Sequence, residues 1–394
     1  MPIIKDAPEI LVYKEREFSL RDKCCRATGL GTRAWKMAGQ LSKHFKVTLF
    51  IPDINFPGFQ YIDKLGLFCE VESYDYEASL NCLEPSLQKK LTDYDVIIVQ
   101  SNSGAAFSNC INLPKKHTLI IDGWVILPIE LSSALLGYAE GYKKKVWEDI
   151  MVKYYALMER GDCVLYNADP HRFYYEGLFF HVGKSDWNSV DRSNLIRVSF
   201  GVDRNEKIKR ATGTSRLKLL WYGPVYPWYD PETLIKAVSE VDTVELDFYA
   251  IRHPRFSNSY YRLYESVFKS IECSRISINL DYQDNHWNLY KNYDAGIILS
   301  KEGLESMFSV RTRAIDMISY GFPVLSNDEY PFGKDIDLEK SIHPLSRNNL
   351  KNNLFQYADK KVDLEISERS FLSIQHSLSW ENTTKELVNY IANL

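Results

Sequence analysis

Residues Phe308 to Asp328 read FSVRTRAIDMISYGFPVLSND and contain the signals of a loop, a helix and a strand. Arg311 to Arg313, two arginines around a threonine, open a predicted amphipathic helix. Its apolar positions recur at helical spacing: Ala314, Ile315, Met317 and Ile318. Gly321 is predicted to end the helix, and Phe322 to Leu325 reads as a short buried strand.

The arginines at the start of this helix indicate a bound anion. Cations there oppose the helix dipole, whereas the unpaired N–H groups of the first turn favour a phosphate. Arginine forks match phosphate oxygens, at roughly 1.5–3 kcal/mol for each charge-assisted bond. Asp316 lies on the face that carries Thr312 and Arg313 and is placed to accept both hydroxyls of a ribose. The alternative is an Arg–Asp pair on a solvated helix.

The same stretch resembles the donor-binding segment of glycosyltransferase family 4. In that family a glutamate, a glycine-rich turn and a second glutamate precede Gly-x-Pro-Val. Gly321 to Val324 matches this ending, and Asp316 falls on the second glutamate. Phe308 falls on the first glutamate, which is a departure. Ser309 to Arg313 is similar to a variant branch that has Ser-Phe-Arg-Thr-Arg at this turn.

The resemblance implies a GT-B fold, an α/β architecture of two Rossmann-like, doubly wound parallel-sheet domains that face each other across a cleft. It also implies sugar transfer with retention of configuration. The donor-loop residues that it assigns to the nucleotide are Ser309, Val310, Thr312 and Asp316, beside the catalytic candidates Arg311 and Arg313. Because Phe308 has no carboxylate, Glu302 or Glu305 is a candidate to replace the missing group.

Composition limits the class of protein. A chain of 394 residues exceeds what one core usually supports, and 45% apolar and 25% charged residues are ordinary globular values. The net charge of -4 argues against a nucleic-acid binder. No apolar run is long enough for a membrane span, and the N-terminus lacks a signal-peptide pattern, so we expect a cytoplasmic protein. Three lysines and a tryptophan within Tyr142 to Leu157 are compatible with peripheral contact with the inner face of the membrane. A plain solvated helix face is the favoured alternative, because the lysines are adjacent and spread around the helix.

The cysteines and histidines give no sign of a metal site. The seven cysteines and eight histidines are scattered, and no pair has metal-ligand spacing. Neither H-E-x-x-H nor G-x-S-x-G occurs. We therefore expect free thiols, no metal and no cofactor, with the nucleotide-diphosphate sugar as a substrate.

A glycine-containing turn, Gly29 to Arg33, precedes a helix predicted from about Arg33 to His44. Together with Ala34 and Asp53 it mimics a dinucleotide fingerprint, but its first glycine does not directly follow a buried strand. Such a turn lets the backbone approach a ligand closely. The resemblance implies that Gly29, Gly31 and Arg33 lie on the first domain and face the donor across the cleft. A tight turn without a ligand is the alternative.

Asp122 follows the predicted buried strand Leu119 to Ile121. Ligands of open parallel sheets bind outside such carboxyl ends. The resemblance makes Asp122 the acceptor-side catalytic candidate, and a cap of the next helix is the alternative.

In the C-terminal half, the predicted strand Leu217 to Tyr222 ends at Gly223, and an aromatic run containing Trp228 follows. Gly223 and Trp228 are expected to bind the nucleotide. The family usually has an arginine and a lysine here, both of which this chain lacks. The next strand ends on Arg252 and His253. Arg252 is expected to bind phosphate with the loop arginines and His253 to bind the nucleotide, while a surface position for Arg252 is the alternative.

These observations define the expected organisation. Residues 1–202 form an acceptor-side domain, 203–216 a linker, 217–377 a donor domain, and 378–394 a helix that crosses back to the first domain. The predicted protein is a retaining hexosyltransferase that moves a sugar from a nucleotide-diphosphate sugar to a hydroxyl of a glycan, a lipid-linked or a small-molecule acceptor, in glycan or glycoconjugate biosynthesis. A nucleotide-sugar epimerase or hydrolase and a non-catalytic partner subunit of the same fold are the alternatives.

Overall fold

The computed structural model describes residues 9–13, 18–21, 24–27, 29–53, 70–75, 89–101, 110–135, 139–184, 194–209, 215–249, 265, 267–279, 286–328, 341–359 and 363–394. The chain divides into two compact units. The first unit comprises residues 1–201 and 380–394, and the second comprises residues 202–379.

The first unit contains a parallel sheet with strand order β5-β4-β1-β6-β7-β8-β9. Its strands are β1 (Glu9–Tyr13), β4 (Lys46–Asp53), β5 (Glu70–Asp75), β6 (Val96–Gln100), β7 (Thr118–Asp122), β8 (Cys163–Tyr166) and β9 (Leu195–Arg197). Between β1 and the first helix, β2 (Phe18–Arg21) and β3 (Cys24–Ala27) form an antiparallel ribbon that the sequence did not predict. The reversal of strand order at β1 is typical of a doubly wound sheet.

Both faces of this sheet are covered by helices. The helices are α1 (Gly29–Leu41), α2 (Leu127–Ala134), α3 (Glu140–Arg160), α4 (Asp169–His181) and α11 (Trp380–Ala392). Ile97 and Val99 pack with α3 and α4, whereas Val96 and Ile98 pack with α1 and α11. Alternate residues of one strand thus enter opposite cores, which explains why the central strands are apolar throughout.

The first helix begins earlier than the sequence predicted. It starts at Gly29 rather than about Arg33 and ends at Leu41 rather than His44, so both glycines lie in its first turn. The predicted inward positions are confirmed, because each is at most 1% exposed: Ala34, Met37, Ala38 and Leu41. Packing of this face outweighs the intrinsic penalty of about 1 kcal/mol for each glycine in a helix.

The second unit contains a second parallel sheet, with strand order β12-β11-β10-β13-β14-β15. Its strands are β10 (Leu217–Tyr222), β11 (Val244–Tyr249), β12 (Ile276–Asn279), β13 (Ala295–Ile298), β14 (Val324–Ser326) and β15 (Ile342–Pro344). The order reverses between β10 and β13, which is the switch point of a doubly wound sheet. The predicted α/β class of two Rossmann-like units is confirmed.

The helices of the second unit are α5 (Pro231–Ser239), α6 (Trp287–Tyr290), α7 (Leu304–Phe308), α8 (Thr312–Ser319), α9 (Leu350–Ala358) and α10 (Glu368–Ser377). Helix α8 is the one predicted from the 308–328 stretch, and its predicted apolar positions are confirmed as fully buried: Ala314, Ile315, Met317 and Ile318. The predicted end of the helix is also confirmed, because Gly321 turns the chain with φ 70° just after it.

The end of α8 is a Schellman motif. The N–H of Phe322 donates to the carbonyl of Met317 over 3.1 Å, and the N–H of Gly321 donates to that of Ile318 over 2.9 Å. The segment 202–209 of the same unit also reaches this end: Asn205 Nδ2 donates to Ser319 Oγ over 2.9 Å. The C-terminal end of α8 is therefore fixed by hydrogen bonds.

Candidate functional site

The carboxyl ends of β10 and β13 lie side by side at the switch point of the second sheet, where ligands of open α/β sheets bind. β10 ends at Tyr222, and Gly223 then turns the chain with φ 114°. A Cβ on Gly223 would lie 3.2 Å from Cζ of Arg313. The turn therefore needs glycine both for its φ and for this close approach. Two predicted site residues, Gly223 and Arg313, meet here.

The guanidinium of Arg313 contacts two aromatic rings. Its Cζ is 4.5 Å from the ring centroid of Tyr229 and 5.3 Å from that of Trp221. Nη2 donates to the carbonyl oxygen of Pro224 over 2.7 Å. Nη1 is buried and makes no hydrogen bond to any residue that the structure describes. A buried charged donor without a partner is unfavourable, and an anionic ligand would satisfy it.

The N-terminus of α8 has no side-chain cap. The N–H groups of Ala314 and Ile315 donate to the carbonyl of Arg311 over 2.9 and 3.2 Å. Those of Thr312 and Arg313 donate to no residue in the described part of the chain. An uncapped helix start with unpaired N–H groups is an anion-binding arrangement. Val310 and Thr312 are half-buried beside it.

Arg311 has a different environment from Arg313, although both open the same helix. It is 4% exposed. Its Nε donates to Asp328 over 2.9 Å, its Nη1 donates to Glu305 over 2.7 Å, and its Nη2 donates to Ser300 Oγ over 3.0 Å. Burial alone would lower the pKa of Arg311, but Tyr229, Asp328 and Glu305 together raise that pKa well above its ordinary value.

These contacts connect the loop before α8 to the strand ends beside it. Ser300 follows β13 and Asp328 follows β14, so Arg311 joins both strand ends to the loop. Ser300 Oγ also donates to Asp328 over 2.8 Å. The contacts support a positioning role for Arg311, and direct binding of phosphate by this residue stays a prediction.

The carboxylate of Glu305 is occupied within the loop. It accepts hydrogen bonds from Arg311 and from Ser309 Oγ, the latter over 2.6 Å, and its side chain is 11% exposed. Glu302, the other candidate for the missing carboxylate, is exposed to solvent. Ser309 therefore contributes its hydroxyl to the Arg311 network, and its contact with a nucleotide stays a prediction.

Asp316 lies one turn beyond Thr312 on α8, and its side chain is 39% exposed. Its Oδ2 accepts hydrogen bonds from Tyr290 Oη over 2.6 Å and from His286 Nε2 over 2.9 Å. Burial, and next the charge of Asp316, raise the pKa of Tyr290 well above its ordinary value, so the phenol is the donor. Oδ1 of Asp316 accepts no hydrogen bond from the described residues.

The aromatic run after β10 packs against the loop after β13. The rings of Tyr226 and Trp228 stack with their centroids 4.6 Å apart. The N–H of Lys301 donates to the carbonyl of Trp228 over 2.8 Å, and its Nζ donates to that of Pro227 over 3.0 Å. The ring of Trp228 lies 6.1 Å from that of Tyr229, which in turn contacts Arg313. Trp228 is therefore linked to Arg313 through the ring of Tyr229.

Two candidates of the first unit, Arg33 and Asp122, contact each other. Arg33 donates to Asp122 through Nε and Nη2 and to the carbonyl of Val198 through Nη1, over 2.7 to 3.0 Å. Both Arg33 and Asp122 are fully buried. The alternative that Asp122 caps the next helix is wrong, because α2 begins after Ile126 with no side-chain cap. In this structure neither charged group reaches solvent, so their contact with substrates stays a prediction.

Other candidates cannot be placed. Arg252 and His253 lie outside the described residues. Gly29 and Gly31 lie in the first turn of α1, and no contact of theirs is described.

Several residues of the site were not predicted from the sequence. They are Trp221, Tyr229, His286, Tyr290, Ser300 and Asp328. The hydrogen-bonding partners of Asp316 lie 26 and 30 positions earlier in the chain. The sequence does contain Tyr290 in a short helix before β13. Its spacing from Asp316 does not show that the two side chains meet.

The described residues show no metal-binding group of three or more His, Cys, Asp or Glu side chains. The described cysteines Cys110, Cys163 and Cys273 are free thiols, as expected. Burial raises the pKa of the Cys110 thiol to about 12. None of the described helices is both long enough and apolar enough to cross a membrane.

Two doubly wound parallel units of this kind constitute the GT-B fold. Sucrose-phosphate synthase from Thermosynechococcus elongatus is similar over 98% of this chain and 98% of its own, with 13% identity and a TM-score of 0.70. HepE from Anabaena, solved in complex with UDP-glucose, has 12% identity and a TM-score of 0.65 over 98% of this chain and 100% of its own.

The apo form of the lipopolysaccharide outer core galactosyltransferase WaaB is also similar. It has 11% identity and a TM-score of 0.62, over 98% of this chain and 99% of its own. No protein-family model matches the sequence, and no curated protein matches it. At these identities the similarity establishes the fold, and the function must be argued from the residues of the site.

Proposed function

We propose that this protein is a retaining glycosyltransferase that binds a nucleotide-diphosphate sugar beside α8 and transfers the sugar to an acceptor hydroxyl. The observation that carries the proposal is Arg313, whose Nη1 is buried and makes no hydrogen bond within the described residues. It lies beside the glycine turn of the switch point and the uncapped start of α8. The solved GT-B structure with UDP-glucose supports the same class of donor.

The diphosphate would take up the unpaired donors of the site. These are the N–H groups of Thr312 and Arg313 and the guanidinium of Arg313. The ribose would lie further along α8, where Oδ1 of Asp316 accepts no hydrogen bond from the described residues. Along the helix, hydrogen-bond donors for phosphate come first and a carboxylate acceptor for hydroxyls follows, which matches the order of groups in a nucleoside diphosphate.

Sugar departure develops about two negative charges on the leaving diphosphate, which fixed cations and helix N–H groups stabilise better than water does. Arg313 supplies the charge, and Arg311 keeps the loop in place through Glu305 and Asp328. With retention, the departing phosphate itself accepts the proton of the acceptor hydroxyl. This chemistry needs neither a protein nucleophile nor a carboxylate at Phe308.

The experiment has two stages. A thermal-shift screen with UDP, GDP, ADP and CDP comes first, since a ligand at 100 times its Kd stabilises the folded state by about 2.7 kcal/mol. The matching glucose, galactose and N-acetylglucosamine donors are then incubated with the enzyme and glycan or lipid-linked acceptors. The anomeric configuration of the product is read by NMR. Absence of any shift with all four diphosphates would contradict the proposal.

A non-catalytic partner subunit is a second candidate. It is favoured by the commitment of Arg311 to two carboxylates and by Phe308 at the position of a family glutamate. Such a protein would bind a nucleoside diphosphate weakly or not at all, and would release no product from any donor. A protein that consumes the donor without an acceptor would instead be an epimerase or hydrolase.

A further inference from the structure

We infer that His286 and Tyr290 are positioning residues that hold the carboxylate of Asp316 so that Oδ1 receives the vicinal hydroxyls of a ribose. The inference rests on the proposed function, which it extends by assigning the residues that determine preference for a ribonucleotide. Neither residue needs to touch the nucleotide. Each acts through the orientation of Asp316.

The two hydrogen bonds use the same oxygen. Oδ2 of Asp316 accepts from Tyr290 Oη over 2.6 Å and from His286 Nε2 over 2.9 Å. A carboxylate oxygen has two lone pairs, so Oδ2 is saturated by these donors. Oδ1 accepts no hydrogen bond from the described residues, so both of its lone pairs are unused, and the side chain is 39% exposed. Two adjacent hydroxyl donors match two lone pairs on one oxygen.

The donor role of His286 follows from its partner. A carboxylate oxygen offers no proton, so Nε2 must carry one to form this bond. Nδ1 of the same ring is buried and makes no hydrogen bond to a described residue. The bond to Asp316 is therefore the polar contact that fixes the orientation of the ring.

Both donors are held in place by ring contacts. The His286 ring stacks on Tyr222 at 5.0 Å with an interplanar angle of 18°. The Tyr290 ring stacks on Phe322 at 4.7 Å with an angle of 2°. Tyr222 ends β10 and Phe322 precedes β14, so the carboxylate is oriented by groups fixed to the sheet. A carboxylate on a helix surface would otherwise rotate freely.

The location of Asp316 favours hydroxyls over a cation as ligand. It lies three residues after Arg313, about 4.5 Å further along the helix axis. A ligand that places its anionic group at the start of α8 carries its adjacent neutral donors to this point. In a nucleoside diphosphate those donors are the ribose hydroxyls.

The test compares each ribonucleoside diphosphate with its 2′,3′-dideoxy form. Isothermal titration gives the Kd of UDP, GDP, ADP and CDP and of their dideoxy counterparts, and the base that binds most tightly is used for the variants. His286→Phe keeps a ring on Tyr222 but removes the donor, and Tyr290→Phe keeps the ring on Phe322. His286→Gln keeps an N–H near the position of Nε2. His44→Phe, at an exposed histidine of the first unit, is the matched control.

We expect the wild-type protein to prefer the ribose form by tenfold or more. This preference should fall at least threefold in His286→Phe and in Tyr290→Phe, with the Kd of the dideoxy form nearly unchanged. His286→Gln should restore it, and His44→Phe should not alter it. A merely structural role would weaken both forms equally, and an unchanged ratio in both variants would overturn the inference while leaving the proposed function intact. If no diphosphate binds the wild type, both proposals fail.

Discussion

Arg33 and Asp122 form a fully buried ion pair, with Nη2 and Oδ1 2.8 Å apart and neither side chain exposed. The arginine comes from α1 and the carboxylate from the end of β7, and a further bond of Arg33 reaches the carbonyl of Val198. The pair thus joins α1 to the carboxyl ends of β7 and β9. Asp122 was a catalytic candidate because it ends a strand, and in the structure it is the counter-ion of the buried Arg33.

The first prediction concerns this pair. Asp122→Asn leaves the Arg33 charge buried without its counter-ion and should lower the free energy of unfolding by about 3–5 kcal/mol. Urea unfolding followed by tryptophan fluorescence measures the loss. The double variant Arg33→Met with Asp122→Leu should lose less than Asp122→Asn, since it buries no unpaired charge. Full stability with lost turnover in Asp122→Asn would instead indicate a catalytic carboxylate.

Arg313 should affect turnover rather than stability. On the proposed function, Arg313→Ala removes one charge contact with the leaving diphosphate and should lower kcat by ~10² or more. Arg216→Ala is the control, because Arg216 pairs with Glu245 at the surface of the same unit. That variant should turn over normally. Steady-state kinetics with the identified donor provide the measurement, and wild-type kcat in Arg313→Ala would remove Arg313 from the site.

Arg311 should show the opposite behaviour. Arg311→Met leaves Asp328, whose side chain is 0% exposed, without its cation. The free energy of unfolding should fall by about 3–5 kcal/mol, since a buried charge loses its partner. Adding Asp328→Asn should recover part of that loss. Unfolding curves like those of the wild type, together with weaker diphosphate binding, would show that Arg311 contacts the ligand directly.

Two glycines offer a matched comparison. Gly223→Ala forces a side chain into φ 114° and against the Arg313 guanidinium, so it should cost about 1–3 kcal/mol and weaken diphosphate binding. Gly39 lies in α1 with nothing within 4 Å of an added Cβ. Gly39→Ala should therefore stabilise the protein by about 0.4–1 kcal/mol. Equal effects of both substitutions on unfolding would contradict the structure of the turn.

Lys184 makes stability depend on pH. Burial, chiefly, lowers the pKa of Lys184 to about 8 from an ordinary 10.5. Between these values the unfolded chain binds more protons than the folded one, so folding becomes more favourable as pH rises. The free energy of unfolding of the wild type minus that of Lys184→Met should thus increase from pH 8 to pH 10.5 and stay level below about pH 7. Urea titrations across this range test it, and a constant difference would refute it.

The sequence predicts α8 well because its information is local. Apolar spacing and Gly321 identify the helix, its buried face and its end without knowledge of neighbouring strands. The short strands β12 and β15 were not predicted, because four and three residues provide too little periodicity. The start of α1 was misplaced because glycine is a poor helix former, and packing of the following residues overrides that preference.

The separate roles of Arg311 and Arg313 depend on distant residues. Both fit a phosphate-binding motif equally well, and they are distinguished by tertiary contacts, such as that of Arg311 with Asp328 and that of Arg313 with Gly223. The same holds for Asp122, whose partner Arg33 precedes it by 89 positions. Spacing along the chain identifies the ends of strands, whereas the partner of each charge is set by tertiary structure.

Helix α8 is fixed at both ends by contacts within its own unit. Arg311 bonds its start to the ends of two strands, and the Gly321 turn and Asn205 hold its other end. On the proposed function, the entropy of ordering the groups at the start of α8 is therefore lost during folding and is not subtracted from the affinity for a nucleotide. Selectivity among ligands would then depend on a shape and a charge distribution that folding itself sets.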